Sequence, residues 1–426
     1  VLAYYSKQDT SQLSDDALVQ RSRALNLMAE VAFNRGNLKE AEQLYQQAAA
    51  GTAEAMRRSQ EDPERVFEHA QNVFYVGETA RFQGRPTEAE RSFREYKRLA
   101  DRMAALAPDS LKYRMEVLYA NENLGISLYN QHRFTEALRQ FQGAAGPMEK
   151  LASLYPSNTT YEKEYATVLA WAADAQRSLG NFGPAIAARQ RQIAALEQFI
   201  AATSDSDGRS RLISAHEGLG LLFSEMGDQD RATKELQSAI REAEDLIPIE
   251  PRNAQWKSMA AEARLAFALT LLSMDHRDGA AQQAGAGCSL AGALPASYAA
   301  ARTRSGTLCA MIRARLALAS GANQQAMAFA QQALSLQRRE HTEDPVNDRY
   351  LLALMYRVLG DVRNRSGDTR GAADAWNEGL ASLPPNVAER PREMNGRLQL
   401  LQRLGRTADA APLAARLKAI NYHATW

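Results

Sequence analysis

The chain has 426 residues and a near-perfect charge balance, 51 Lys and Arg against 50 Asp and Glu, for a formal net charge of +1. No global field therefore draws it to nucleic acid or to an anionic membrane, and no stretch reaches the ~18 apolar residues of a membrane span. Two cysteines, Cys288 and Cys309, are too few and too far apart for a disulfide framework or a zinc site, and they read as small core residues of neighbouring helices.

The opening Val1-Leu-Ala-Tyr-Tyr-Ser-Lys7 reads as the last turns of a helix that starts upstream, so residues 1–14 are assigned as a tail and linker. From there a helix-ending residue recurs nine times, each followed five positions later by alanine. The pairs are Gly36/Ala41, Gly84/Ala89, His132/Ala137, Gly180/Ala185, Gly227/Ala232, His276/Ala281, Gly321/Ala326, Gly367/Ala372 and Gly405/Ala410. Neighbouring markers lie 45–49 residues apart, except the last, at 38. A fixed period of this size marks a solenoid of stacked hairpins, an architecture that binds rather than transforms.

The third repeat shows the unit. Ser110 is placed to cap a helix that runs from Lys112 to Gln131 with Leu118, Leu124 and Leu128 on one face. The helix stops at His132, where seven sister repeats carry glycine, the residue suited to a left-handed C′ position. A second helix follows from about Thr135 to Leu154, presenting Ala137, Phe141 and Ala144. Pro108, Pro156, Pro251 and Pro345 each sit 24 residues after a marker and end the preceding helix. Five residues beyond them Tyr113, Tyr161, Trp256 and Tyr350 are expected to pack the start of the next hairpin.

These signals divide the chain into hairpins over 15–275, a weak Gly/Ala-rich segment over 276–307, further hairpins over 308–390 and a short capping hairpin over 391–426. The segment from Asp278 to Gly292 is read as a thin helix and a candidate hinge, because each helical glycine costs roughly 1 kcal/mol relative to alanine.

Leu124-Gly125 before the turn, then Ala137, Phe141 and Ala144 after it, resemble the tetratricopeptide repeat, and Leu219-Gly220/Ala232/Leu236/Ala239 and Leu359-Gly360/Ala372/Trp376 show the pattern again. The resemblance implies an all-α, right-handed superhelical solenoid, here with a period of about 48 residues instead of the family's roughly 34. The chain also resembles the long-repeat C-terminal region of bacterial multidomain signalling proteins linked to a TIR or kinase domain. That kinship rests on Ala3-Tyr-Tyr-Ser-Lys-Gln-Asp9, on the Arg-Gly-Asn-Leu-Lys-Glu-Ala turn and on residues 62–74. Abundant alanine and arginine fit a bacterial origin, and the cytoplasm is favoured, with the periplasm the alternative if a membrane helix lies upstream.

The family takes its inner-surface contacts from the first helix of each hairpin at fixed distances before the turn. Carried over, this nominates Asn26, Glu30, Phe74, Glu78, Arg81, Tyr119, Glu122, Tyr129, Asp174, Arg177 and Glu217 as a groove, with a more basic stretch near Arg315, Arg357 and Arg365. Such a groove suits a protein or peptide partner with basic and apolar side chains, held by charge-assisted hydrogen bonds. The competing reading is a solvated helix face. No cofactor, metal site or catalytic constellation is expected: the six histidines are scattered, and the phosphate-loop and nucleophile-elbow motifs are missing. An architectural, self-associating module that clusters an attached effector, or a small-molecule sensor near Phe74, Tyr119 and Tyr129, are the alternatives.

Overall fold

The computed structural model describes residues 13–338, 345–383 and 390–423; the expected helix end at 1–7 lies outside them. Regular structure among these residues is helical throughout, and it falls into two compact units that part at Tyr155–Pro156. Residues 276–307 lie wholly inside the second unit.

The first unit holds three hairpins: α1 (Asp15–Asn34) with α2 (Leu38–Arg58), α3 (Pro63–Phe82) with α4 (Pro86–Leu106), and α5 (Leu111–Asn130) with α6 (Phe134–Leu154). Each turn is made by one left-handed residue, Gly36, Gly84 or His132. The amide of the following residue reaches back to a carbonyl five positions earlier, as in Asn37 N–H to Ala32 O at 2.9 Å and Arg133 N–H to Leu128 O at 3.0 Å. This closes the helix end. His132 adopts the same geometry with a side chain, at a cost of roughly 1–2 kcal/mol.

Behind the turn, small residues of the first helix face large ones of the second. A methyl group on Gly125 would lie 2.5 Å from the fully buried Phe141 ring, and one on Gly77 would lie 3.0 Å from Phe93. Ala41, Ala48, Ala137 and Ala144 are fully buried at the same seam. Between hairpins, Tyr113 buries its ring as expected. Ser110 stands at the N-cap with extended backbone, but its hydroxyl makes no capping bond; Asp62 does cap α3, accepting from Glu64 N–H at 2.9 Å.

The second unit repeats the design six times. Its hairpins are α7 (Thr159–Ser178) with α8 (Phe182–Thr203), α9 (Ser206–Glu225) with α10 (Gln229–Leu246), and α11 (Ala254–Ser273) with α12 (Arg277–Gly292). They continue with α13 (Ala299–Ala319) and α14 (Asn323–Gln337), α15 (Pro345–Arg365) and α16 (Thr369–Ser382), and finally α17 (Pro391–Arg403) and α18 (Thr407–Ala419).

Two sequence expectations are corrected here. The left-handed residue of the third of these hairpins is Asp275, not His276. The buried alanine five positions on is accordingly Ala280, while Ala281 is exposed. Asp tolerates the left-handed region better than most residues, and the glycine-centred reading hid the one-residue shift. The second correction concerns Cys288 and Cys309, which form a disulfide with Cα atoms 5.8 Å apart. They are 21 residues apart in sequence, yet α12 and α13 run back past each other and bring them together. Closing a loop of this length contributes on the order of 3 kcal/mol.

The glycine-rich segment is a continuous helix, α12. Gly287 allows its close approach to α11: a methyl there would lie 3.1 Å from the Ala261 carbonyl oxygen. Gly285 faces open space.

The terminal hairpin does more than cap the stack. Leu401, Ala410, Leu417 and Tyr422 pack with Phe182 and Ala185 of α8 and with Leu222 of α9, and the His423 amide donates to the Glu225 carbonyl at 2.7 Å. A methyl on Gly180 would lie 3.0 Å from Ile420 Cδ1. The second unit thus closes on its own beginning.

The two glycines of α12 should respond oppositely. Gly285→Ala is expected to stabilise the protein by about 0.5–1 kcal/mol through helix propensity. Gly287→Ala should destabilise it, since overpacking costs about 1–3 kcal/mol; denaturant unfolding of the two variants checks both signs.

Candidate functional site

Counting back from each left-handed residue defines rows along the first helices of the hairpins. In the first unit the row at minus ten holds Asn26, Phe74 and Glu122; at minus six it holds Glu30, Glu78 and Ile126; at minus three, Phe33, Arg81 and Tyr129. Glu30 is exposed and makes no ion pair among the described residues. The Oδ1 atom of Asn26, one turn earlier, is buried without a hydrogen-bond partner among them. Glu78 and Arg81 satisfy each other through two hydrogen bonds of 2.9 and 2.8 Å. Phe74 is half-buried and serves the hairpin seam, its ring centroid 5.4 Å from Tyr96 and 6.1 Å from Phe93. Glu122 is buried, Tyr119 is half-buried, and Tyr129 packs edge-on to Phe134 at 5.1 Å.

The carried-over positions did not include Phe82, which is 46% exposed. It meets Phe33 edge-to-face at 5.1 Å and lies 4.3 Å beneath the Arg81 guanidinium. The signal was an aromatic next to the turn, which a count by fixed rows passes over. Leu27 and Val31 are also exposed. Val31 occupies the row at minus five, where Thr79 and Ser127 of the next two hairpins are buried.

In the second unit the three nominated residues are engaged internally. Asp174 accepts from the buried Arg189 of α8. Arg177 makes a bidentate pair with the buried Glu225 carboxylate at 2.8 and 2.7 Å. Burial opposes the Arg177 charge, yet Glu225 more than offsets it and holds the guanidinium above its usual range. Tyr422 of the terminal hairpin closes over this pair: burial raises its phenol, and the Glu225 and Tyr350 charges act in the same direction. Arg392 stacks on the Tyr350 ring at 5.0 Å. Side chains from α7, α9, α15 and α17 therefore converge on one polar interior that the sequence alone did not assemble.

Glu217 of α9 belongs to this interior. Burial pushes its carboxyl up to about 8, with Glu262 of α11 adding repulsion and Arg177 and Arg189 opposing it.

No family model matches the chain, and no curated protein matches it. Solved structures do. A Rap protein complexed with competence and sporulation factor is 13% identical with a TM-score of 0.49, covering 94% of this chain and 98% of its own. The apo form of RapI is 14% identical with a TM-score of 0.47, covering 74% and 97%. A tetratricopeptide repeat protein from Parabacteroides merdae is 14% identical with a TM-score of 0.44, covering 79% and 99%. The chain is an all-α protein of tetratricopeptide-like helical hairpins, and none of its described helices is long and apolar enough to cross a membrane.

The Glu217 environment gives a signed pH dependence. The folded protein holds a proton that the unfolded chain releases near the ordinary carboxylate value, so this stabilisation is full below about pH 4.5 and is lost as pH rises through about 8. Glu217→Gln should flatten that loss: its melting temperature should exceed that of the parent increasingly from pH 5 to 8. Parallel pH profiles would contradict the assignment.

Proposed function

We propose that the chain is a protein- or peptide-recognition scaffold whose partner surface is the first-helix face of the first unit. The observation that carries this reading is the contrast between the units. At the start of the second unit Asp174 and Arg177 are closed by ion pairs with Arg189 and Glu225. The first unit instead offers an unpaired, exposed Glu30 and an exposed Phe82 backed by Phe33 and Arg81. An acidic group beside an aromatic platform suits a segment with basic and apolar side chains: aromatic anchors supply most of the affinity and the charge fixes orientation. Because the surface is preformed by packed helices, little ordering entropy opposes binding.

The resemblance to repeat regions of bacterial multidomain signalling proteins supports a place as the sensing or adaptor part of such a protein. The Cys288–Cys309 disulfide supports an oxidising compartment over the cytoplasm favoured on sequence.

The test is capture of a partner from a bacterial lysate by the full chain and by the Glu30→Lys/Phe82→Ala double variant. The parent should retain a partner that the variant binds at least tenfold more weakly, a difference of about 1.4 kcal/mol, with unchanged helical circular dichroism. Equal retention by a folded variant would reject this surface.

A further inference from the structure

The side of α3 turned away from Glu78 borders a cavity of about 460 Å³, bounded by α2, α3 and α4 and open to solvent. Val73 and Val76 of α3 and Ala49 of α2 line it, all three half-buried. Val76 packs at the edge of the first hairpin's core around Leu44 and Tyr45, and Val73 at the edge of the next core around Tyr96 and Leu99. The cavity thus marks the seam between two cores. In the second unit the same two rows, eleven before the turn residue and eight after it, hold His216 and Glu235, whose hydrogen bond of 2.7 Å joins α9 to α10. Here those rows hold Val73 and Ser92, which cannot make such a bond.

The polar groups at the rim are not equivalent. The Glu95 carboxylate is taken by Arg98, which donates to it at 2.8 and 2.6 Å, and the Gln46 amide donates to Glu42 at 3.1 Å. Glu88, the other acid at helical spacing from Arg91, is paired with Arg85. Arg91 is left exposed and makes no ion pair among the described residues. Its neighbour Ser92 adds a hydroxyl with no hydrogen-bond partner among them. The mouth of an apolar cavity therefore carries one uncompensated cation and a second donor. Small-molecule sites span about 300–1,000 Å³, mostly apolar with a few placed polar groups. An alkyl chain gains affinity with each methylene taken from water, and a guanidinium fork matches a planar carboxylate.

We propose that this cavity binds a medium-chain fatty acid, its alkyl chain against Val73, Val76 and Ala49 and its carboxylate on Arg91. The site shares no residue with the partner surface built on Glu30 and Phe82, so the two assignments fail separately.

The experiment is calorimetric titration of the full chain with octanoate, and separately with octanol, which keeps the chain and lacks the charge. The parent should take up octanoate saturably, one per chain, and bind octanol about tenfold more weakly. Arg91→Gln should weaken octanoate about tenfold, the loss of one charge-assisted hydrogen bond, and leave octanol unchanged. Ala49→Leu fills the cavity with another helix-favouring residue; it should abolish binding of both, with unchanged helical circular dichroism. Arg94→Gln, an exposed arginine that does not line the cavity, and the Glu30→Lys/Phe82→Ala variant should bind like the parent. Unsaturable uptake or none, equal affinity for octanoate and octanol, equal loss in the Arg94 variant, or full binding by the Ala49 variant would each overturn the proposal.

Discussion

The left-handed residue at each hairpin turn is the constraint on which the rest of the structure depends. It fixes where the first helix ends and the angle at which the second leaves, and so decides which residues meet seven positions before and nine positions after it. At that meeting point Gly77, Gly125, Gly220 and Gly360 face Phe93, Phe141, Leu236 and Trp376, with no room for a methyl group. Bulk is thus moved from one helix to its partner without changing the volume of the seam, which close-packed interiors require. Where the turn uses Asp275 in place of glycine, the geometry is unchanged and only its position in the sequence shifts.

Stacking such hairpins leaves an end to cover. In the second unit the terminal hairpin meets that need by folding its apolar face onto the first two hairpins of the same unit. The consequence for recognition is direct. Closure draws Arg177, Glu225, Tyr350, Arg392 and Tyr422 into one interior. In the first unit Glu30 and Phe82 stay exposed.

The fold was legible because its signals were local and repeated. Helix ends at Leu106 and Leu154, the hairpin turn at His132 and the short hairpin after Pro391 all follow from glycine, proline and alanine spacing. The candidate site was less legible. Glu78 and Arg81 share a face, as spacing implies, but that they neutralise each other is a matter of rotamers. The pairing of Arg177 with Glu225, 48 residues on, needs two helices set side by side. The closure by Tyr422 and the Cys288–Cys309 bond are tertiary contacts for which the sequence carries no periodic signal. Phe82 escaped because a fixed count from the turn selects rows, whereas exposure depends on what packs next to them.

The terminal hairpin closes the second unit by packing on α8 and α9. Amide hydrogen exchange across residues 417–423 of the full chain tests it most directly, because local opening there reports the free energy of closure. The His423 amide, bonded to the Glu225 carbonyl at 2.7 Å, is expected to exchange slowly and together with the amides of α17 and α18. Exchange of Tyr422 and His423 at the rate of a free chain end, with α9 fully protected, would contradict it.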